Sequence, residues 1–136
     1  MTKILVIDDD ALVRGSVARM LRRWGYDVAV AEDGRRGLAL FHDIEPRLVI
    51  TDIIMPDQDG IETIREIRRV RPDAQIIAMS GCGRLGNLDF LNIAAKLGAG
   101  EVISKPFEPA TLRDCVTRCL AKAADGRPAS EAGCSA

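Results

Sequence analysis

Residues 3–10 read Lys-Ile-Leu-Val-Ile-Asp-Asp-Asp, in which the continuous apolar run of residues 4–7 stops abruptly at three carboxylates. An unbroken run of branched apolar residues is typical of a strand that is covered on both faces, as in a parallel sheet. Similar short runs predict four more strands, at residues 27–31, 48–51, 75–79 and 101–104. The chain is therefore expected to build a five-stranded parallel sheet.

Segments with helical periodicity separate and follow these strands. Five helices are predicted, near residues 11–23, 35–43, 61–70, 87–97 and 109–123. Asp10 is the expected N-cap of the first helix, and Gly25 is its expected stop. Alternation of strands and helices predicts a doubly wound α/β fold, with helices on both faces of the sheet.

Length and composition predict one globular domain. The 136 residues, of which 47% are hydrophobic and 29% charged, suffice for one packed core. The small and polar residues from Ala124 onward predict a flexible tail over 124–136, which leaves 1–123 as the domain.

A net charge of −1 disfavours direct binding to nucleic acid. No signal peptide or run of about 20 apolar residues is present, so we expect no membrane segment and a cytoplasmic location.

The four cysteines lack the spacing of a zinc site. Cys115 and Cys119 are four residues apart on a predicted helix, where they are expected to face the core as free thiols. The single histidine, His42, lies away from the strand ends and is expected at the surface.

Reactive side chains collect where the predicted strands end. Asp8 and Asp9 follow the first strand, Asp52 the third, Ser80 the fourth and Lys105 the fifth. Ligands of an open parallel sheet bind at the carboxyl ends of its strands, where the strand order reverses. If the first and third strands are neighbours, three carboxylates converge, and a hard cation such as Mg²⁺ relieves their repulsion. With an ammonium and a hydroxyl added, the set suits phosphoryl transfer to an aspartate.

Four motifs together resemble the receiver domain of two-component response regulators, over Met1 to about Ala123. They lie at residues 4–10, 52–60, 77–81 and 105–107. The resemblance implies a flavodoxin-like sheet in the order 2-1-3-4-5. It also implies that Asp52 is the phosphoacceptor and that Asp8, Asp9 and the backbone carbonyl of Ile54 complete a Mg²⁺ site with it. Ser80 and Lys105 match the hydroxyl and lysine residues that contact the phosphoryl group in this family.

One position departs from the family pattern. Three residues before the lysine, the family often carries Tyr or Phe, whose rotamer reports phosphorylation, whereas this chain has Val102. A valine has no ring to move between core and solvent, so we expect the response to depend on Ser80 and the loop at 81–86. The family commonly uses the helix after that loop, the fifth strand and the last helix for partners.

Four hypotheses for the function differ in how well these residues fit them. The favoured hypothesis is a stand-alone receiver that takes a phosphoryl group from a histidine kinase or phosphotransfer protein and then binds a downstream protein, as a monomer or as a phosphorylation-dependent dimer. The chain could also be the receiver of a larger regulator or hybrid kinase. An aspartyl-phosphate phosphatase would need its nucleophile on the first strand in a D-x-D-x-T/V pattern, which is incomplete here. A nucleotide-binding module is disfavoured because no glycine-rich phosphate motif follows the first strand.

Overall fold

A computed structural model describes residues 2–53, 60–81 and 101–124 of the chain. Five parallel strands form one sheet, in the order β2-β1-β3-β4-β5. They span β1 Lys3–Ile7, β2 Asp27–Ala31, β3 Leu48–Asp52, β4 Gln75–Gly81 and β5 Glu101–Lys105. This is the flavodoxin-like α/β fold that was predicted.

Four helices lie within the described residues: α1 Ala11–Arg23, α2 Gly34–Ile44, α3 Gly60–Val70 and α4 Pro109–Ala124. The further helix predicted near 87–97 falls outside these residues, as does the predicted tail beyond Ala124. Among the described helices, none is long and apolar enough to cross a bilayer.

Three strands extend further than their apolar runs. The predictions ended β3 at Thr51, β4 at Met79 and β5 at Ser104, but the strands continue to Asp52, Gly81 and Lys105. Their parallel ladders continue too, with Asp52 opposite Met79 and Lys105 opposite Gly81. The backbone of these residues is thus held by strand pairing, whose hydrogen bonds do not depend on side-chain polarity.

The sheet separates two apolar layers. Side chains alternate along each strand, so Ile4 and Val6 of β1 face one layer while Leu5 and Ile7 face the other. Helices α1 and α4 cover the first layer, and α2 and α3 cover the second. Strand β3 runs through the centre, and all five of its residues are buried.

The two described cysteines lie in the first layer, as predicted. Cys115 and Cys119 on α4 are free thiols and are 4% and 0% exposed. Burial raises the pKa of both thiols, in Cys119 from 9.0 to about 11, so they are neutral at ordinary pH and pack as small apolar groups. His42 is exposed, also as predicted.

Gly60, the first residue of α3, lies directly against the end of β3. Its N–H donates to the carbonyl of Ile53 at 2.6 Å. A Cβ added at this position would collide with the backbone carbonyl of Asp52 and would lie 2.6 Å from the Cα of Ile53. The close approach of α3 to Asp52 therefore requires a residue without a side chain.

We expect Gly60→Ala to lower the free energy of unfolding by roughly 1–3 kcal/mol, because backbone must shift to admit the methyl group. Gly15→Ala is the matched control, since a Cβ on that residue of α1 meets nothing within 4 Å. The control should instead raise the free energy by up to about 1 kcal/mol through helix propensity. Urea unfolding of both variants checks this, and equal effects would show that the approach of α3 to β3 is not tight.

Candidate functional site

Three carboxylates meet at the carboxyl edge of the sheet. Because β1 and β3 are neighbours, with Ile7 opposite Thr51, the residues that follow in register are Asp8 and Asp52. Oxygens of Asp8, Asp9 and Asp52 all lie within 4.8 Å of one another. Asp8 and Asp52 are buried, whereas Asp9 is exposed. The convergence expected from the sequence is therefore present.

Lys105 reaches this cluster from the end of the edge strand β5, two strands away from β3. Its Nζ donates to Asp8 Oδ2 at 2.8 Å and lies 3.3 Å from Asp52 Oδ2. Burial disfavours the ammonium charge, but the hydrogen bond that Lys105 donates to Asp8 and the charges of Asp52 and Asp8 outweigh it and raise the pKa of Lys105. The lysine is thus a fixed positive charge between two buried carboxylates.

One lysine does not neutralise three carboxylates. At an effective dielectric constant near 20, two carboxylates such as Asp8 and Asp52 at this separation repel by about 3–4 kcal/mol. Oxygen ligands with an excess negative charge form the kind of donor set that Mg²⁺ prefers. The residues present therefore fit a divalent cation, as the sequence predicted.

Backbone hydrogen bonds hold the β1–α1 connection that carries two of the carboxylates. Asp8 N–H donates to the carbonyl of Ala31, and Asp8 Oδ1 accepts from the N–H of Asp10. Asp10 itself caps α1, because its Oδ1 accepts from the N–H groups of Leu12 and Val13. Asp10 is thus the N-cap that was predicted.

Ser80 lies next to the carboxylates on the neighbouring strand. It follows Met79, which is opposite Asp52 in the β3–β4 ladder, and its side chain is buried. Beyond it on β5, the peptide bond between Lys105 and Pro106 is cis. Ser80 therefore lies on the same sheet edge as Asp52 and Lys105.

The sequence analysis singled out two further residues, Ile54 and Val102. Ile54, whose carbonyl was expected to bind the metal, falls outside the described residues. Val102, which replaces the usual aromatic residue, is half-buried and packs against the second apolar layer. It occupies an ordinary core position on β5.

Sequence reasoning missed two residues that shape the site. Gly60 abuts the backbone of Asp52, and Arg14 Nη1 donates to the carbonyl of Asp8 at 2.8 Å. Both contacts join residues through space, and neither residue type is unusual for its element. A weak signal existed for Arg14, since it lies one turn after the N-cap on the side of α1 that also carries Asp10.

Comparison with known proteins identifies the family. The family model described as "Response regulator receiver domain" matches residues 4–117. The chain is 32% identical over 117 residues to chemotaxis protein CheY of Thermotoga maritima, which covers 85% of this chain and 95% of that protein. It is 36% identical over 117 residues to the DNA-binding transcriptional regulator NtrC of Azospirillum brasilense, covering 86% of this chain but 24% of the regulator.

Solved structures agree with this assignment. A CheY-like response regulator receiver domain protein from Methanospirillum hungatei superposes with a TM-score of 0.85 at 27% identity, covering 93% of this chain and 99% of that one. The fold, the strand-end carboxylates and the family match are mutually consistent. The chain belongs to the response regulator receiver domain family of two-component signalling.

Proposed function

We propose that this receiver accepts a phosphoryl group on Asp52, in a Mg²⁺-dependent reaction, and then signals by binding another protein. The observation that supports this most directly is the position of Asp52. It ends the central strand, lies within 4.8 Å of two other carboxylates and has a lysine ammonium 3.3 Å away. A carboxylate nucleophile, the ammonium group of Lys105 and two further carboxylates thus share one small site.

The contacts of Asp8 favour Asp52 over Asp8 as the nucleophile. Asp8 is fully buried, and both of its carboxylate oxygens accept hydrogen bonds, from Asp10 N–H and from Lys105 Nζ. A carboxylate held in this way is suited to binding and orienting a cation. Asp52, which also lies 3.3 Å from Lys105 Nζ, differs from Asp8 in keeping a small exposed fraction of 6%.

The proposed transfer is a displacement at phosphorus. One Asp52 oxygen forms a bond to phosphorus while the P–N bond to a donor histidine breaks, and the imidazole leaves with the bonding electrons. In this proposal Lys105 pairs with a phosphoryl oxygen, and the Ser80 hydroxyl donates to another. Asp8, Asp9, Asp52 and the Ile54 carbonyl would hold Mg²⁺, which when bound would supply positive charge to the phosphoryl oxygens.

The proposed partners are proteins. The phosphoryl donor is a histidine kinase or phosphotransfer protein, and the receiver acts on its downstream target in the cytoplasm, as a stand-alone domain over 1–123. The relatives include a CheY protein that is matched over 95% of its length and an NtrC regulator that is matched over 24%, so a receiver within a larger regulator is the alternative. Since Val102 lacks a ring, the proposed response uses Ser80 and the segment that follows β4.

Wild-type protein should gain one phosphoryl group when it is incubated with acetyl phosphate and Mg²⁺, and Asp52→Asn should gain none. Asp10→Asn is the matched control, because it makes the same chemical change at a residue that caps α1, and asparagine caps helices as well as aspartate does. Intact mass and peptide mapping measure the product. A label on Asp57, Asp59 or any other aspartate would refute the assignment.

Asp9→Asn should weaken Mg²⁺ binding to the unphosphorylated protein by at least roughly tenfold, because second-shell changes alone commonly cost that much and Asp9 is proposed as a direct ligand. Titration of Mg²⁺ followed by amide chemical shifts gives the dissociation constant. Asp10→Asn again serves as the control: it removes the same charge from a neighbouring residue that is not a proposed ligand, so it should lose much less affinity than Asp9→Asn. Equal Mg²⁺ affinities of Asp9→Asn and wild type would show that Asp9 is not a metal ligand.

A further inference from the structure

Arg14 ties helix α1 to the end of β1. It is the fourth residue of α1, it is half-buried, and its Nη1 donates to the backbone carbonyl of Asp8 at 2.8 Å. That carbonyl belongs to the peptide group joining Asp8 to Asp9. Within the described residues, Arg14 makes no ion pair with either carboxylate, and it holds the peptide group between them.

Asp9 depends on this peptide for its position. In the described part of the chain, the structure shows no hydrogen bond or ion pair to the Asp9 carboxylate, which is also exposed. Asp8, by contrast, is held through Ala31, Asp10 and Lys105. The direction in which Asp9 leaves the backbone is thus set by the orientation of the preceding peptide group, whose oxygen Arg14 holds.

We propose that Arg14 is a positioning residue for Asp9, which aims this carboxylate at the Mg²⁺ position by holding the Asp8 carbonyl. The inference rests on the proposed metal site and extends it to a residue outside the carboxylate cluster. A charge-assisted hydrogen bond from a planar guanidinium is directional and stronger than a neutral one, which suits it to fixing a peptide plane.

Two effects of Arg14 on Mg²⁺ binding have opposite signs, and this makes the proposal testable. Its positive charge near the carboxylates repels a cation, so simple loss of charge should tighten Mg²⁺ binding. Loss of the hydrogen bond should loosen Asp9 and weaken binding. Weaker binding after neutralisation therefore reports positioning, since the electrostatic effect alone acts in the other direction.

Arg36 provides a matched control for the charge. Arg14 and Arg36 line the same cleft of about 170 Å³, together with Val30, Ala31 and Glu32. Within the described residues, the Arg36 side chain makes no hydrogen bond or ion pair, and its backbone N–H bonds to the N-cap Asp33. Arg36→Met thus removes a charge beside the same cleft without removing a contact to the β1–α1 connection, which carries Asp8 and Asp9.

The experiment measures Mg²⁺ dissociation constants by amide chemical shifts for wild type, Arg14→Met, Arg14→Gln and Arg36→Met. We expect both Arg14 variants to bind roughly tenfold more weakly, in the range found for second-shell changes at metal sites, and Arg36→Met to bind as wild type or more tightly. In metal-free protein, hydrogen exchange of the Asp10 amide should be faster in the Arg14 variants than in Arg36→Met.

Unchanged or tighter Mg²⁺ binding by the Arg14 variants would overturn the positioning role while leaving the metal site intact. So would an equal loss of affinity in Arg36→Met, or unaltered exchange at the Asp10 amide. A wild-type protein that binds no Mg²⁺ would overturn the proposed metal site, and the role of Arg14 with it. Two Arg14 variants are used so that one remains informative if the other does not fold.

Discussion

The pair of contacts from Lys105 to Asp8 and Asp52 is the interaction on which the rest of the site depends. Without the ammonium, two buried carboxylates would face each other with little to offset their repulsion. The lysine lies on β5, whereas the carboxylates belong to the ends of β1 and β3, so the contact requires the strand order that the sheet adopts. One long side chain therefore couples three strands at their carboxyl edge.

The surrounding structure holds these charges rather than neutralising them completely. Asp8 is fixed by the backbone of Ala31 and Asp10, and Asp52 is fixed by the ladder of β3 and by the approach of α3 at Gly60. Each constraint keeps carboxylates at a separation that is unfavourable without a cation. A site with an uncompensated charge is prepared to bind a divalent ion and then an anionic phosphoryl group, which is the chemistry proposed for this receiver.

The sequence predicted the fold and the convergence of Asp8, Asp9 and Asp52 because these signals are local. Ile4 to Ile7 form an unbroken apolar run, and the carboxylates of Asp8 and Asp9 follow it directly. The strand ends at Asp52 and Lys105 were placed one residue early, since the apolar pattern stops there while ladder hydrogen bonds continue. Sequence patterns report side-chain polarity, whereas backbone pairing between strands continues past the last apolar residue.

Arg14 and Gly60 could not be predicted in the same way. An arginine near the start of an amphipathic helix and a glycine after a proline-containing loop have ordinary local explanations. Their roles arise from contacts with the Asp8 carbonyl and the Asp52 backbone, which exist only after β1, β3 and the helices have packed together. Such contacts depend on distances between elements that no periodicity encodes.

The stability of Asp52→Asn, measured with and without Mg²⁺, tests most directly whether the site is held under charge repulsion. In metal-free buffer, we expect the variant to have a higher free energy of urea unfolding than wild type, on the order of 1 kcal/mol, because it relieves repulsion while Asp8 keeps Lys105. Saturating Mg²⁺ should stabilise wild type more than the variant and shrink this difference. A variant that is less stable than wild type in metal-free buffer, with no differential effect of Mg²⁺, would contradict the account.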